Sequence, residues 1–560
     1  MQEAKKEVVK LLKGVKGADK LLEVPPDPKL GDLSLPCFNL SKNPKKLADD
    51  LKSKIKIPQK SIVKEIKTAG PYLNFYFDKG KLAESVIKQV NKEKDKYGKA
   101  SNKKKTIIVE YSNPNPLKGF HVGHLRNTAL GAALYRILEK DGYKVIKANY
   151  YNNTGSHVAK TLWAYKKFFK KKESKVENKG EWVGKIYSEA VFKLKEKPNY
   201  EKEVLEIQKK IDKKNKEWVS LLNKLNNWSV KEFNRIYREL GAKFDYIYYD
   251  KDFIVSGKDV VKKLEKHHLV EYEDKAPIIN LEKYQLGKKP LLRADGTALY
   301  ITKDLAMAQR KFKDYKLDRS IYVVGAEQDF YFKQLFKTLK ILGFDKAKQL
   351  YHLSYELVLD KNMKKFSSRL GDAPLYSMLA NKAKEKASKQ VKKKNPKLST
   401  KKQKEIADKI AVGAMIYMML NKSNKKRIPF DLDKALSYEG DTGPYLQYAL
   451  VRAKKILKKA KVKPSFTNLE LLNSDSEYEL IKKISNFPLI IEKAAESYSP
   501  HLIANYAYDL SKLFSNFYEK CPVIKAKDKI KKARLALVST FTQTLKNSLN
   551  LLGIKEVELM

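Results

Sequence analysis

His121-Val122-Gly123-His124 puts two of the chain's seven histidines within four residues. With seven histidines and 24 glycines in 560 residues, chance supplies His-x-Gly-His on the order of 0.004 times, so the pattern carries information. At the start of a helix, positions 121 and 124 lie one turn apart on one face. A helix N-terminus also presents unpaired N–H groups and the positive end of its dipole. Together these groups suit hydrogen bonding to a phosphate, in particular an α-phosphate passing through a pentavalent transition state. Gly123, without a Cβ, lets adenine or ribose come close to the backbone. Two other readings fit the same residues: a histidine pair that only caps the helix, or a metal site, for which no third ligand lies nearby. A second element, Lys365-Phe366-Ser367-Ser368-Arg369, is a cationic loop after the last strand signal, suited to folding over a pyrophosphate leaving group.

These groups need a scaffold. Thr106-Ile107-Ile108-Val109-Glu110 is a short β-branched run of the kind that forms a buried parallel strand. A turn-rich segment, Ser112 to Gly119, follows it. From His121 the apolar positions Val122, Leu125, Ala129, Ala132, Ala133 and Ile137 recur at helical spacing, and Gly142 is a stop signal. A second strand is expected over Val145 to Asn149, which makes a βαβ start. Ser320 to Gly325 and Leu350 to Leu359 read as further strands. Helical and hairpin-like insertions are expected at Lys160 to Leu240 and Tyr246 to Pro290. The whole reads as a doubly wound α/β domain with inserts.

Before it, residues 1–98 read as a small α+β module. It has helical stretches, a loop rich in Pro25, Pro26, Pro28 and Gly31, and a strand over Gly70 to Phe77, and it ends in a lysine-rich connector, Asn91 to Lys105. After about residue 380 strand signals vanish, and the remainder reads as a helical bundle. The expected division is 1–98, 99–395 with the α/β core, and 396–560.

Composition narrows the function class. The 117 basic and 65 acidic residues give a net charge of +52, with 106 lysines against 11 arginines. Such a charge suits a polyanionic partner, although a lysine-rich surface produces it as well. With 42% hydrophobic and 11% aromatic residues the chain can build several cores, which excludes global disorder. Cys37 and Cys521 stand far apart and outside any Cys/His cluster, which excludes a disulfide framework and a structural zinc site. Residues 1–13 lack a signal-peptide core, and the longest apolar run, Ile410 to Leu420, falls short of the ~20 residues that span a bilayer. The chain is expected to be soluble and cytoplasmic, with no membrane association.

The His121–His124 element, followed some 240 residues later by Lys365–Arg369, resembles the HIGH and KMSKS pair of class I aminoacyl-tRNA synthetases. Asn113 to Asn127, Leu292 to Asp304 and Glu439 to Tyr448 resemble the arginyl-tRNA synthetase family specifically. So do Gly31-Asp32, Gly70-Pro71 and Tyr518 to Pro522. The resemblance spans the whole chain. It implies a class I Rossmann-like catalytic domain with insertions, a small α+β N-terminal domain and an all-α C-terminal anticodon-binding bundle. The implied reaction joins arginine and ATP into arginyl-adenylate and pyrophosphate, then passes arginine to the 3′-terminal adenosine of tRNA(Arg). Mg²⁺ would accompany the nucleotide, with no protein metal site, and the enzyme would be a monomer.

The resemblance also implies roles. His121 and His124 would stabilise the α-phosphate, and Lys365 would serve with them. Gly123 and Gly325 would pack against the nucleotide, Glu327 would face the ribose, and Ser367, Ser368 and Arg369 would complete the ATP site. Glu110 and Asp304 would pair with the guanidinium, since such pairs are charge-assisted and often bidentate. Tyr300, four residues before Asp304, would flank the side chain. Asn113, Asn115, Gln328 and His124 would complete the arginine site. Serine stands at position 368 where the KMSKS motif has its second lysine, and Lys118, three residues before His121, would compensate. Gly119-Phe120 replaces a more usual Pro-Leu, and Leu370 a frequent lysine. Tyr445, Tyr448 and Arg452 share one helix face suited to anticodon bases, the alternative being two core tyrosines and a surface arginine. Asn74 and Phe75 would touch the tRNA D-loop.

Two rivals remain open from the sequence. A smaller nucleotidyltransferase would leave about 180 C-terminal residues unexplained. A catalytically dead paralogue that only binds tRNA would have no need of His121, His124, Glu110 and Asp304.

Overall fold

The computed structural model describes residues 1–25, 27–366 and 373–560. After two helices, Gln2–Leu11 and Ala18–Leu21, the first module builds three antiparallel strands, β1 (Leu33–Pro36), β2 (Val63–Ala69) and β3 (Tyr72–Phe77), in the order β1-β3-β2. Only β3 is apparent in the sequence. β1 is four residues long, and β2 carries Lys64, Glu65 and Lys67 where an apolar run would announce a strand. Gly70 turns the chain between β2 and β3 with φ +58°, a conformation that L side chains rarely adopt. The helix Lys79–Glu93 follows, so the first residues of the expected connector, Asn91 to Glu93, are helical.

Gly31-Asp32 fastens this module to the C-terminal helices. Gly31 has φ +111°, and a Cβ there would meet the carbonyl oxygen of Phe75 at 3.0 Å. Asp32 accepts the Phe77 N–H at 2.8 Å and pairs with Lys482 at 2.8 Å.

The central sheet begins with β4 (Thr106–Glu110), β5 (Lys144–Tyr151) and β6 (Tyr246–Tyr249). β7 (Glu271–Glu273), β8 (Ala276–Asn280) and β9 (Lys288–Pro290) form a separate antiparallel meander. β10 (Arg319–Gly325) and β11 (Leu350–Tyr355) return to the central sheet, which is all parallel in the order β11-β10-β4-β5-β6. The order reverses between β4 and β10, and in such sheets ligands lie beyond the strand ends at that point. Alternation along β4 turns Ile107 and Val109 toward the core containing the helix Val122–Lys140. Ile108 faces the opposite core, with Leu305, Ala308 and Tyr322. Glu110, two residues beyond Ile108, lies on that second face.

Two readings are corrected here. Tyr246–Tyr249 is a strand of the central sheet and no part of an insertion; a short, tyrosine-rich edge strand offers no apolar run to recognise it by. The stretch from Leu350 is two elements, β11 and β12 (Val358–Asp360). β12 pairs in parallel with β13 (Ile428–Phe430), so a strand does occur after residue 380. Three residues are too few for a periodic signal.

The helices Ser156–Ala164, Lys179–Glu196, Tyr200–Asp212 and Lys216–Leu240 form an insertion with a core of its own, and all four tryptophans lie in it. Beyond the sheet the helices Tyr376–Lys394 and Thr400–Leu420 lead into the C-terminal bundle. The apolar run Ile410–Leu420 is buried along its whole length. Among the described residues no helix is long and apolar enough to cross a membrane.

Candidate active site

His121 is the N-cap of the helix Val122–Lys140. Its Nδ1 accepts the Gly123 N–H at 3.1 Å, and the Nδ1 of His124 accepts the His121 N–H at 3.2 Å. The rings stack with centroids 3.7 Å apart. The two histidines therefore do cap the helix, and that capping fixes their tautomers. With both δ nitrogens used as acceptors, each proton resides on Nε2, where it can be donated outward. Burial, then the charge of Lys118, brings the His121 pKa down to about 4. Burial, then His121 and Lys118, holds His124 well below the ordinary imidazole range. Both are neutral donors at pH 7. Gly123 is required by this arrangement as much as by any ligand, because a Cβ would lie 3.0 Å from Cε1 of His121.

The loop before this helix is strained and tightly held. Ser112, Asn113 and Leu117 all have positive φ. Three side chains each fix one of its backbone N–H groups: Asn127 takes Ser112 at 2.6 Å, Asn149 takes Asn113 at 3.1 Å, and Ser229 takes Leu117 at 3.2 Å. Lys118, next in line, has its Nζ 5.2 Å from the Tyr187 ring centroid on the insertion. Gly119 lies against Gly184, whose added Cβ would come 2.7 Å from the Cα of Gly119. That contact accounts for the glycine at 184; at Gly119 itself an added Cβ would collide with Cδ2 of Leu375 and come 3.5 Å from the Cα of Gly184. Gly184→Ala is expected to destabilise the protein by about 1–3 kcal/mol, seen as a lowered Tm in thermal unfolding.

The far end of the Lys365 loop is tied to the same place. Val122 N–H donates to the Pro374 carbonyl at 3.0 Å, and Tyr376 N–H to that of Phe120 at 2.7 Å. His121 and Leu375 thus form a short antiparallel bridge. Lys365 is exposed; Ser367, Ser368 and Arg369 lie outside the described residues.

On the second face of the sheet, at the ends of β4, β5 and β10, is a cavity of about 620 Å³. Glu110, Asn113, Asn115, Tyr300, Asp304 and Gln328 all line it. The helix Tyr300–Asp314 supplies a wall graded by depth: Tyr300 is exposed at the mouth, Asp304 is half-buried, and Met307 and Lys311 are buried. Asp304 accepts a hydrogen bond from the Tyr331 hydroxyl. Burial raises its pKa to about 6, with Glu110 adding to the rise and Tyr331, Lys311 and Lys303 opposing it. Glu110 is 2.6 Å from the buried Lys311 Nζ and accepts from the Asn113 amide at 3.3 Å.

Residues 86–432 match the family model for tRNA synthetases class I (R), catalytic domain. Residues 2–77 match the arginyl tRNA synthetase N terminal domain, and 446–560 the DALR anticodon binding domain. The chain belongs to the arginyl-tRNA synthetases. The arginine–tRNA ligase of Clostridium botulinum strain 657 is 36% identical over 548 residues, covering 97% of this chain and 96% of that protein. That of Treponema denticola is 37% identical over 561 residues, covering 96% and 94%. The arginyl-tRNA synthetase of Thermus thermophilus superposes with a TM-score of 0.81 at 27% identity, each chain covered to 100%. A methionyl-tRNA synthetase of Mycobacterium tuberculosis, in complex with methionyl-adenylate, gives 0.51 at 9% identity over 80% of this chain and 91% of its own, a likeness of fold alone.

Elsewhere in this synthetase the remaining candidates are placed unevenly. Gly325 ends β10, and a Cβ there would meet the Glu327 carboxylate at 3.2 Å. Glu327 itself is exposed. Asn74 and Phe75 are 2% and 0% exposed, which weighs against their reading as D-loop contacts: they point to opposite faces of β3, and the turn at Gly31 lies against the Asn74 side. The exposed ring there is Phe38, edge-on to Tyr72 at 5.1 Å. On the helix Gly443–Lys459, Tyr448 is exposed, Tyr445 packs on Tyr508 at 5.7 Å, and Arg452 lies 4.3 Å from the Tyr518 ring centroid. Sequence reasoning missed Tyr150, Asn152, Lys289, Tyr322 and Tyr331 around the cavity. Tyr331, three residues after Gln328, was within reach of a helical-face argument. Among the described residues no three metal-ligating side chains converge.

Proposed function

We propose that the chain performs the arginine–tRNA ligase reaction with its guanidinium pocket built on Asp304 and Glu110 and its phosphate chemistry on His121 and His124. The observation that carries this reading is one cavity that gathers the six polar side chains expected from the sequence out of three separated segments, 110–115, 300–304 and 328, two of them carboxylates. A guanidinium offers five N–H donors in a planar fork, and Asp304, the unpaired carboxylate of the two, answers it with charge. Tyr300 flanks the methylene stem, and Asn115 and Gln328 face the α-amino end.

The α-carboxylate then attacks the ATP α-phosphate, and pyrophosphate leaves. The Nε2–H groups of His121 and His124 donate to the oxygens on which charge builds, with no proton transfer to them required. Lys118 and the Lys365 loop, including Ser367, Ser368 and Arg369, draw off the charge of the departing pyrophosphate, while Gly123, Gly325 and Glu327 seat the nucleoside. Mg²⁺ arriving with ATP would neutralise phosphate charge as a Lewis acid. In the second step a ribose hydroxyl of the 3′-terminal adenosine of tRNA(Arg) attacks the arginyl carbonyl, and AMP leaves with the phosphate oxygen. Residues 396–560 hold the anticodon loop through the face carrying Tyr445, Tyr448 and Arg452. Residues 1–98 meet the tRNA elsewhere, and 99–395 hold the chemistry. We propose a cytoplasmic monomer.

ATP–pyrophosphate exchange, measured with each amino acid with and without tRNA, tests the reading. Exchange is expected with arginine only and to depend on tRNA. Robust exchange with leucine or cysteine, or none with any amino acid, would overturn it.

A further inference from the structure

A cation stands directly behind a pocket built for a cation. Lys311 lies seven residues after Asp304, two turns deeper on the same helix face, with its side chain 0% exposed. Its Nζ is 2.6 Å from Glu110 Oε2 and 3.9 Å from the ring centroid of Tyr322, which lines the cavity. Sheet alternation dictates the meeting, because Glu110 and Tyr322 occupy paired positions on β4 and β10 and face this helix. Burial disfavours the ammonium, yet Glu110 and Tyr322 outweigh it and hold the Lys311 pKa above its ordinary range. Lys311 is therefore charged, and an unpaired ammonium is never exposed to the ligand.

The other charges near Asp304 leave a simple count. Lys303 is engaged by Asp250 at 2.6 Å, with its Nζ 5.1 Å from the Tyr300 ring centroid, so that its charge is compensated within its own ion pair. Lys289, from β9, lines the cavity half-buried, 5.1 Å from the Tyr331 ring centroid, and burial draws its pKa below the ordinary lysine value. Tyr150 on β5 and Tyr331 are neutral phenols, pushed further from ionisation by burial, then by Asp304. What remains at the floor is Glu110, Asp304 and Lys311.

We infer that Lys311 is a positioning residue that sets the charge of the guanidinium pocket at minus one by holding Glu110 in a buried ion pair. The inference rests on the arginine reading of this cavity. A floor of minus one matches one guanidinium. It also leaves Glu110 oriented, with one oxygen on Lys311 and the other near the Asn113 amide, while Asp304 supplies the uncompensated charge. Without Lys311, two carboxylates would share the floor, and such a pair retains a proton at neutral pH whichever member carries it. An entering guanidinium would expel that proton.

Calorimetric titration of the full chain with L-arginine at pH 7.5, in two buffers of different ionisation enthalpy, counts the protons released. The wild type is expected to release below about 0.1 proton, because Asp304, titrating near 6, is already ionised. Lys311→Met is expected to release more than about half a proton, and Lys311→Arg to behave as wild type. A purely structural role for Lys311 would weaken binding in K311M without changing the proton count. Should K311M not fold, Glu110→Gln supplies the reverse test. It leaves Lys311 uncompensated and should bind arginine about 100-fold more weakly, and adding K311M should recover at least tenfold of that. Unchanged proton release in a folded K311M, or no recovery in the double variant, overturns the inference. Failure of the wild type itself to bind arginine would instead overturn the assignment of the cavity.

Discussion

Asp304→Asn is expected to weaken arginine binding by about 10²–10³-fold while kcat at saturating arginine stays within about threefold. The substitution is nearly isosteric, and its amide oxygen can still accept from the Tyr331 hydroxyl. What it removes is the one floor carboxylate without an ion partner, and a buried guanidinium left without its counter-charge accounts for the loss. The same group sets a pH dependence. Its pKa is raised to about 6 by burial, so in the free protein it gains a proton as pH falls through 6, whereas bound arginine requires it ionised. Arginine affinity should therefore be flat above about pH 7 and fall toward tenfold per unit below 6. In the asparagine variant the break at 6 should vanish. Steady-state arginine KM across pH 5–8.5, with equilibrium titration at each end, reads both effects.

His124→Asn is expected to lower kcat by about 10²–10³-fold with arginine affinity within about twofold of wild type. Asparagine reproduces the δ nitrogen as an acceptor, so the cap on the His121 N–H is retained at 3.2 Å geometry and Tm should change little. It lacks the Nε2–H that is aimed outward. His124→Gln, which restores a donor near the Nε2 position and gives up the cap, should keep more activity and lose about 1 kcal/mol of stability. Because burial brings His121 down to about 4 and holds His124 well below the ordinary imidazole range, kcat at saturating arginine should show no imidazole break between pH 5 and 8. A break near 6.5 in kcat would mean that these rings exchange protons during the reaction, contrary to their role as fixed neutral donors.

Much of the site could be read from the chain because it sits on elements with strong local signals. The apolar run of β4, the helical spacing after His121 and the stop at Gly142 all have their cause within a few residues. The six cavity residues named from the sequence converge in the structure, and they came from family resemblance, since spacing alone cannot bring Glu110 within reach of Asp304. Short elements escaped detection. β6 and β13 have four and three residues, and their identity as strands rests on partners far away in the chain. Asn74 and Phe75 show the opposite error, in which a recognisable segment says nothing about which of its side chains face solvent.

The sequence by itself determined that two imidazoles stand at a helix N-terminus, that the chain carries a net charge of +52, and that its arginines are scarce. Those are properties of residue type and near-neighbour spacing. Only the tertiary structure decided what state these groups are in. The tautomers of His121 and His124 follow from two backbone N–H groups, the titration of Asp304 from burial, and the ion pair of Glu110 from a lysine 201 residues away. Protonation and orientation depend on the local dielectric and on partners brought together by the fold, and those quantities exist only once the chain has closed on itself.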